Sequence, residues 1–441
     1  MNNNTLGKLI IGKSTRLLFV MLWAWLALSV QAQDGAWKGE LDVQGAKLPL
    51  VFHFADNGCT MDSPSQGAKG IPAQREILAD GTVRVTIAAI GATFEGKNDG
   101  NAIRGTFTQM GMGFPLILMP GTLQVNRPQT PVPPFPYKEE TVSFANDGFT
   151  FEGTLVLPVH CDRNTPVVVM VTGSGLQNRD EEMFGHKPFA VIADALARQG
   201  IASYRYDDRG YGLEGYQMDA YTTGDFAGDA QVALRVMRKR FGKVGVLGHS
   251  EGGTIALMMA EQGMPDFIVT LAAMAASGKE TLMRQNRASM ASLGLSQGIL
   301  DTCCAVVQQA FEGLAEGKKV EQLSFDGVPA ELKPVFESSV KQCDTPYLRY
   351  LLNVDVRKSL DKVKCPVLAL NGTKDIQVDC ALNIQVLESG LINSRHEIKK
   401  FEGLNHLFQH CTTGSVLEYQ QIEETIAPEV LQAIIGWLKT L

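Results

Sequence analysis

Two hydrophobic periodicities divide the chain. From residue 36 to 119, apolar and polar positions alternate, and turn residues punctuate the runs. "GELDVQGAKLPLVFHF" and "TVRVTIAAIGATFEGKNDGNAIRGTFTQM" carry the period of two that a half-buried strand requires. Asn98-Asp99-Gly100 supplies a hairpin turn within the second stretch. The pattern predicts a small antiparallel sheet, closed or folded on itself. Residues 126–136, "NRPQTPVPPFP", then place five prolines in a stiff, extended segment. That segment marks the predicted domain boundary, with a β-rich domain over 34–125, a linker over 126–137 and a larger domain over 138–441.

Beyond the linker the period changes. "ETVSFANDGFTFEGTLVLP" reads as a hairpin turning at Asn146, Asp147 and Gly148. Short, wholly apolar runs then alternate with helical patterns. The runs are "PVVVMV" (166–171), "IASYRY" (201–206), "VGVLG" (244–248), "DFIVTLAA" (266–273), "CPVLALNG" (365–372) and "HEIKKF" (396–401). Between or after them fall the helical stretches "PFAVIADALARQG" (188–200), "DFAGDAQVALRVMRKRFG" (225–242) and a closing helix begun by Pro428. Strands without a polar face are buried on both sides, so the pattern predicts an α/β fold with a mostly parallel sheet and helices on both faces. Residues 279–360 interrupt the alternation and read as wholly helical, which predicts a lid inserted beyond the strand ends.

The N-terminus differs from both regions. Lys8, Lys13 and Arg16 precede the apolar run 17–30, and Val30-Gln31-Ala32 forms a small-x-small pattern. This order predicts a secretory signal peptide over residues 1–32, cut after Ala32, and a periplasmic or secreted product with no membrane span after cleavage. The apolar run is short for a span, which needs roughly 20 residues. "GKLIIGKS" (7–14) matches a phosphate-binding loop letter for letter, but lacks the strand and helix that would aim its amides at phosphate.

Bulk composition narrows the remaining classes. The 441 residues carry a formal net charge of -7. That balance lacks the basic character of a nucleic-acid binder. All 8 cysteines follow Ala32, so export would permit disulfides, and Cys380 and Cys411 flank the candidate catalytic loops. Adjacent Cys303 and Cys304 fit a packed helix. No Cys/His spacing predicts a metal site. His406 and His410 lie four apart, but no HExxH motif accompanies them.

The candidate chemistry centres on "VGVLGHSEGGTIALMMA". Gly248-x-Ser250-x-Gly252 ends a buried run and opens a helical one. A sharp strand-to-helix turn there lifts Ser250 above the sheet in a strained conformation, and glycines two positions either side give it room. A serine hydroxyl needs a base, and the base needs an orienting acid. Asp375, after "LALNGTK", is the predicted acid; Asp379 is the rival and reads as a helix cap. His406, in "FEGLNHLFQH", is the predicted base, with His410 as its rival; His249 and His396 read as structural. The predicted oxyanion donors are the backbone N–H groups of Glu251 and, from "TGSGLQNRD", Ser174 or its neighbours. "DDRGYG" (207–212) ends another strand and reads first as scaffolding for the site and second as a substrate contact.

On "VTGSGLQNRDE", "HKPFAVIADALARQGIASYRYDDRG", "GHSEGG", "GTKD" and "GLNH", residues 140–441 resemble the α/β-hydrolase superfamily, in its EstD-type esterase and S33 serine aminopeptidase-like branch. Leu176 departs from that pattern, since many relatives carry proline after "GSG". The resemblance implies ester hydrolysis by Ser250, Asp375 and His406 through an acyl-enzyme, with no metal or organic cofactor. The expected substrate is a small ester of a short acyl group, such as acetyl on a sugar. A peptidase on the same scaffold is the alternative, and a catalytically inactive glycan- or partner-binding protein is the third.

Overall fold

The computed structural model describes residues 35–43, 46–55, 58–64, 68–99, 101–109, 111–123, 126–292, 297–325 and 333–441. The predicted signal peptide, the phosphate-loop match and Gly100 lie outside the described residues. The chain divides into two compact units. Among described residues one comprises 35–126 with 416–423, and the other 127–415 with 424–441.

In the first unit, eight strands follow one another around a closed antiparallel barrel. They are β1 (Ala36–Val43), β2 (Ala46–Ala55), β3 (Gly58–Ser63), β4 (Ala68–Ile77), β5 (Thr82–Ile87), β6 (Ala92–Asn98), β7 (Ile103–Gln109) and β8 (Met112–Pro120). Closure comes from Trp37 pairing with Pro120 and Lys38 with Met119. Alternate residues point inward, so Phe52, Val85, Ile87, Phe94 and Leu118, all fully buried, fill the centre. The interior is therefore a packed core, and closure removes the exposed strand edges that an open sheet would leave.

The second unit begins with the proline-rich segment, which is tied to it by hydrogen bonds. Arg127 donates to the Phe184 carbonyl, and the Gln129 side-chain oxygen accepts from the Ile426 N–H. Its sheet contains β9 (Lys138–Asn146), β10 (Phe149–Leu157), β11 (Val167–Val171), β12 (Ala202–Tyr206), β13 (Val244–His249), β14 (Ile268–Leu271), β15 (Val367–Gly372) and β16 (His396–Phe401). The strand order is β16-β15-β14-β13-β11-β12-β10-β9. Pairing is parallel from β12 to β16, and antiparallel where β9 and β10 join the edge.

The helices are α1 (Pro188–Ala197), α2 (Thr223–Arg238), α3 (Glu251–Glu261), α4 (Gly278–Ser292), α5 (Gln297–Ala315), α6 (Lys333–Cys343), α7 (Pro346–Asn353), α8 (Cys380–Gly390) and α9 (Pro428–Leu438). Two hydrophobic layers sandwich the sheet. On β11, Val167, Val169 and Val171 face one layer with α2, α3 and α8, while Val168 and Met170 face the other with α1 and α9. Both faces are covered, which explains why these strands read as unbroken apolar runs. Full burial of each such side chain stabilises the fold by roughly 1.5–3 kcal/mol as an upper bound. Helix starts follow local chemistry. The Thr222 hydroxyl accepts from the Asp225 N–H while the Asp225 carboxylate accepts from the Thr222 N–H, closing a capping box on α2.

Between β14 and β15 the described residues form α4 to α7 with short 3₁₀ turns. This segment has its own small apolar cluster, which includes Cys303 and Cys304, both buried on α5. Among the described residues no disulfide is present; Cys380 and Cys411 are not bridged to each other, and the Cys411 thiol donates to the Gly403 carbonyl at 3.4 Å. No described helix is long and apolar enough to cross a membrane, and no described cluster of His, Cys, Asp or Glu could hold a metal.

Strand order positions the site. From β11 the chain moves outward to β12, then returns to the opposite side of β11 for β13. Loops leaving the carboxyl ends of β11 and β13 diverge at that reversal, and the crevice between them is where open α/β sheets bind ligands.

Candidate active site

Ser250 occupies the turn between β13 and α3, with φ +52° and ψ -117°. A side chain in this region is sterically strained, and surrounding structure must hold it there. The Ser250 N–H donates to the Leu271 carbonyl at 2.8 Å, and its carbonyl accepts from Gly253 and Thr254. The hydroxyl makes no capping bond to the helix. The flanking glycines are required by close backbone approach. A Cβ at Gly248 would lie 2.0 Å from the Gly252 carbonyl oxygen, and one at Gly252 would lie 2.0 Å from that of Val171. Both obstacles are backbone, so neither can move aside cheaply.

Asp375 follows β15 and His406 follows β16. The His406 Nδ1 donates to Asp375 Oδ2 at 2.8 Å. Both side chains are buried, at 5% exposure for His406 and 0% for Asp375. Three further donors hold the carboxylate. Asn371 Nδ2 reaches Oδ2 at 3.1 Å, and the N–H groups of Gln377 and Val378 reach Oδ1 at 2.8 and 2.9 Å. With Nδ1 protonated by this contact, Nε2 is the lone-pair nitrogen that can take a hydroxyl proton. The described residues show no hydrogen bond between the Ser250 hydroxyl and His406; such catalytic contacts often tighten only when substrate is bound. Two contacts bring the loops after β11, β13 and β16 together. The His406 ring lies 4.7 Å from the ring of His249, the residue preceding Ser250, and a Cβ at Gly173 would lie 3.2 Å from the Ser250 Cβ.

The rival residues have other work. The Asp379 carboxylate accepts from the Leu382 N–H and caps α8. His410 is exposed and pairs with Glu424 and Glu429. His396 sits exposed on β16. His249 is buried, and both its ring nitrogens face acceptors: Nδ1 meets Glu181 Oε1 at 3.0 Å, and Nε2 meets the His406 carbonyl at 3.0 Å. The His406 carbonyl can only accept, so Nε2 carries a proton, and the Glu181 carboxyl beside Nδ1 favours the charged form of the ring. Burial opposes that charge, but Glu181 and the two hydrogen bonds outweigh it and raise the pKa above 6.5.

The two proposed oxyanion donors lie on either side of this turn. The Glu251 N–H opens α3, where the helix dipole favours negative charge. Among the described residues, neither it nor the Ser174 N–H donates to a protein acceptor. The neighbouring Gly173 N–H is occupied, donating to Glu181 Oε1 at 2.6 Å. The loop after β12 braces this region. Asp208 accepts from the Thr172 hydroxyl and the Gln177 N–H, and burial pushes its carboxyl well above the ordinary range. Arg209 forms a buried ion pair with Asp229, and its guanidinium carbon lies 5.2 and 4.8 Å from the ring centroids of Phe149 and Tyr221. A cleft of about 410 Å³, including its open mouth, adjoins Gly173, Gly175 and Glu251. Ser250, Asp375 and His406 do not line it, so it lies beside the candidate chemistry rather than over it.

The profile of the family described as serine aminopeptidase, S33, matches residues 186–303, which span α1, the Ser250 turn and part of α5. The second unit has the α/β-hydrolase fold. The chain is also similar to Esterase EstD of Thermotoga maritima, with 26% identity over 282 residues, covering 62% of this chain and 62% of the relative's length. Among solved structures, Est1E from Butyrivibrio proteoclasticus aligns at 14% identity and TM-score 0.40, over 68% of this chain and 98% of its own. The Pyrococcus furiosus esterase Pf2001 aligns at 14% identity and TM-score 0.41, over 73% and 99%.

Several groups in this α/β-hydrolase unit escaped sequence reasoning. Asn371 precedes Asp375 by four residues, and only the loop's curvature brings its amide to the carboxylate. Glu181 sits in the quoted "NRDE" but adopts φ +52° and is 1% exposed, a conformation that no local pattern announces. The Glu251 carboxylate accepts from the hydroxyls of Ser174, Thr223 and Tyr347, which are 77, 28 and 96 residues away in sequence. Local patterning carries no signal for such contacts.

Proposed function

We propose that this protein is an exported serine esterase that cleaves small carboxylic esters of short acyl groups through a covalent acyl-enzyme. The observation that carries the reading is the Asp375–His406 pair at 2.8 Å, set after adjacent strands beside a Ser250 held at positive φ on a helix N-terminus. In this mechanism His406 Nε2 removes the Ser250 proton as Oγ attacks the ester carbonyl. The Glu251 and Ser174 N–H groups receive the developing oxyanion. His406 then protonates the departing alcohol oxygen, and a water activated by the same imidazole hydrolyses the acyl-enzyme. Asp375 keeps the Nδ1 tautomer and stabilises the imidazolium. Similarity to an esterase supports the reaction class, and acetylated sugars are a fitting substrate group.

The test is hydrolysis of p-nitrophenyl acetate by wild type and Ser250→Ala. Loss of the nucleophile should lower kcat by about 10⁶, and a fluorophosphonate should label Ser250 in wild type only. Equal rates for the two proteins would end the proposal. Produced with its leader, the protein should be recovered outside the cytoplasm with Gln33 as its first residue.

A peptidase is the second reading, favoured by the profile match to serine aminopeptidases over residues 186–303. Amide hydrolysis demands protonation of a poorer leaving group by His406. Ester turnover with no cleavage across a peptide library would dismiss it.

A further inference from the structure

Glu251 is an unusual choice beside a nucleophile that must develop negative charge nearby. Its residue is 5% exposed, and burial raises the pKa of its carboxyl above the usual range. A buried carboxylate costs free energy unless donors surround it. Three do, and each is a hydroxyl from a different part of the second unit. Ser174 Oγ reaches Oε2 at 2.7 Å from the loop after β11. Thr223 Oγ1 reaches Oε1 at 2.6 Å from the first residue of α2. Tyr347 Oη reaches Oε2 at 2.6 Å from α7, within the helices inserted between β14 and β15.

One of these partners, Ser174, matters directly for the chemistry. Ser174 and Glu251 carry the backbone N–H groups assigned to the oxyanion, and their side chains are joined by a direct hydrogen bond. A catalytic constellation needs its members held within about 0.5 Å of productive geometry by neighbours that are themselves locked. The carboxylate does this for both donors, because it belongs to one of them and grips the other. Tyr347 extends the linkage to the inserted helices, where its ring is buried and lies 6.2 Å from Phe226.

We propose, resting on the esterase reading above, that Glu251 is a positioning residue whose carboxylate fixes the Glu251 and Ser174 N–H donors to each other and, through Tyr347, makes oxyanion stabilisation depend on the seating of the inserted helices. The side chain acts on the reaction only through those donors. Ser174→Ala keeps the backbone N–H and removes only the grip; Tyr347→Phe keeps the ring and removes only the link. Both act through Oε2, so their effects are coupled.

The experiment measures kcat and KM for p-nitrophenyl acetate on Ser174→Ala, Tyr347→Phe, the double variant and Glu251→Gln, each checked for native circular dichroism and Tm. Complete loss of an oxyanion donor costs about 10²–10³ in rate, so loosening one should cost about tenfold in kcat with KM within about twofold. The double variant should be no slower than about the slower single, since groups sharing a partner are not additive. Glu251→Gln can keep its oxygen toward Ser174 and Tyr347 and donate its NH₂ to the Thr223 hydroxyl, so it should cost no more than the hydroxyl variants; if it does not fold, the hydroxyl variants still decide. Single variants with wild-type kcat, or losses that multiply in the double variant, overturn the proposal while leaving the esterase reading intact. An inactive wild type with unlabelled Ser250 removes the esterase reading and this proposal with it.

Discussion

Asp375→Asn tests the role of the carboxylate with a change of very few atoms. In the structure four donors point at Asp375 and no acceptor does. An amide of the same shape offers one oxygen and one NH₂. If the oxygen faces the Gln377 and Val378 N–H groups, the NH₂ faces both His406 Nδ1 and Asn371; Nδ1 must then accept, placing the imidazole proton on Nε2, and the Asn371 amide turns its oxygen toward the NH₂. The base is then blocked. In the opposite orientation His406 keeps its tautomer, but the two backbone N–H groups face a donor and go unsatisfied. Each buried unsatisfied donor costs about 1–3 kcal/mol, so the blocked arrangement is preferred by about 2–6 kcal/mol. At about 1.4 kcal/mol per decade, the midpoint leaves a fraction of about 10⁻³ in the competent form. Loss of the carboxylate charge that stabilises the imidazolium adds to this, giving an expected fall in kcat of about 10³–10⁴. Steady-state hydrolysis of p-nitrophenyl acetate reads it, with KM changed little. Asp379→Asn is the control. Asparagine caps a helix as well as aspartate does, so the α8 cap survives and kcat should stay within about twofold. An Asp375→Asn enzyme within about tenfold of wild type, or an Asp379→Asn enzyme as slow as it, would refute the assignment of the acid.

Two other outcomes follow from the geometry. Gly252→Ala places a Cβ 2.0 Å from the Val171 carbonyl oxygen, whereas Gly436, on α9, has open space around the same position. Thermal unfolding should show Gly252→Ala destabilised by about 1–3 kcal/mol or more and Gly436→Ala unchanged or stabilised by up to about 1 kcal/mol; equal shifts would contradict the close approach at the turn. His249 couples stability to pH. Its folded pKa lies above 6.5, so the native state keeps a proton that the unfolded chain has released at the same pH. Its stabilisation is complete below about pH 6.5 and declines as pH rises through the folded value. Urea unfolding of wild type against His249→Asn between roughly pH 6 and 9 should show the difference in stability shrinking with pH; a constant difference would show the ring to be uncharged.

Much of the α/β unit was legible in one dimension because its causes are local. Strands buried on both faces have no polar alternation to show, and Val167–Val171 reads as it packs. The Ser250 turn is legible through Gly248, which answers to the Gly252 backbone four residues on, whereas Gly252 answers to Val171 on another strand. The cap at Asp379 is legible because it bonds to an N–H three residues away. Barrel closure is different. Alternation shows that strands have two faces, but whether the first pairs with the last depends on the twist and stagger accumulated over eight strands.

The sequence by itself determined the alternating β region, the succession of buried strands and helices, and the strained serine between two glycines, since each shows in one element's periodicity or in a pattern spanning a few residues. Tertiary structure alone decided which acid meets His406, which groups face the His249 ring nitrogens, and what the Glu251 carboxylate holds. Those outcomes depend on side chains such as Asp375 and His406, or Glu251 and Tyr347, separated by 31 and 96 positions. Their meeting is set by strand order and by where each loop leaves the sheet, and hydrogen bonding acts over about 3 Å, a scale on which only the folded chain assigns partners.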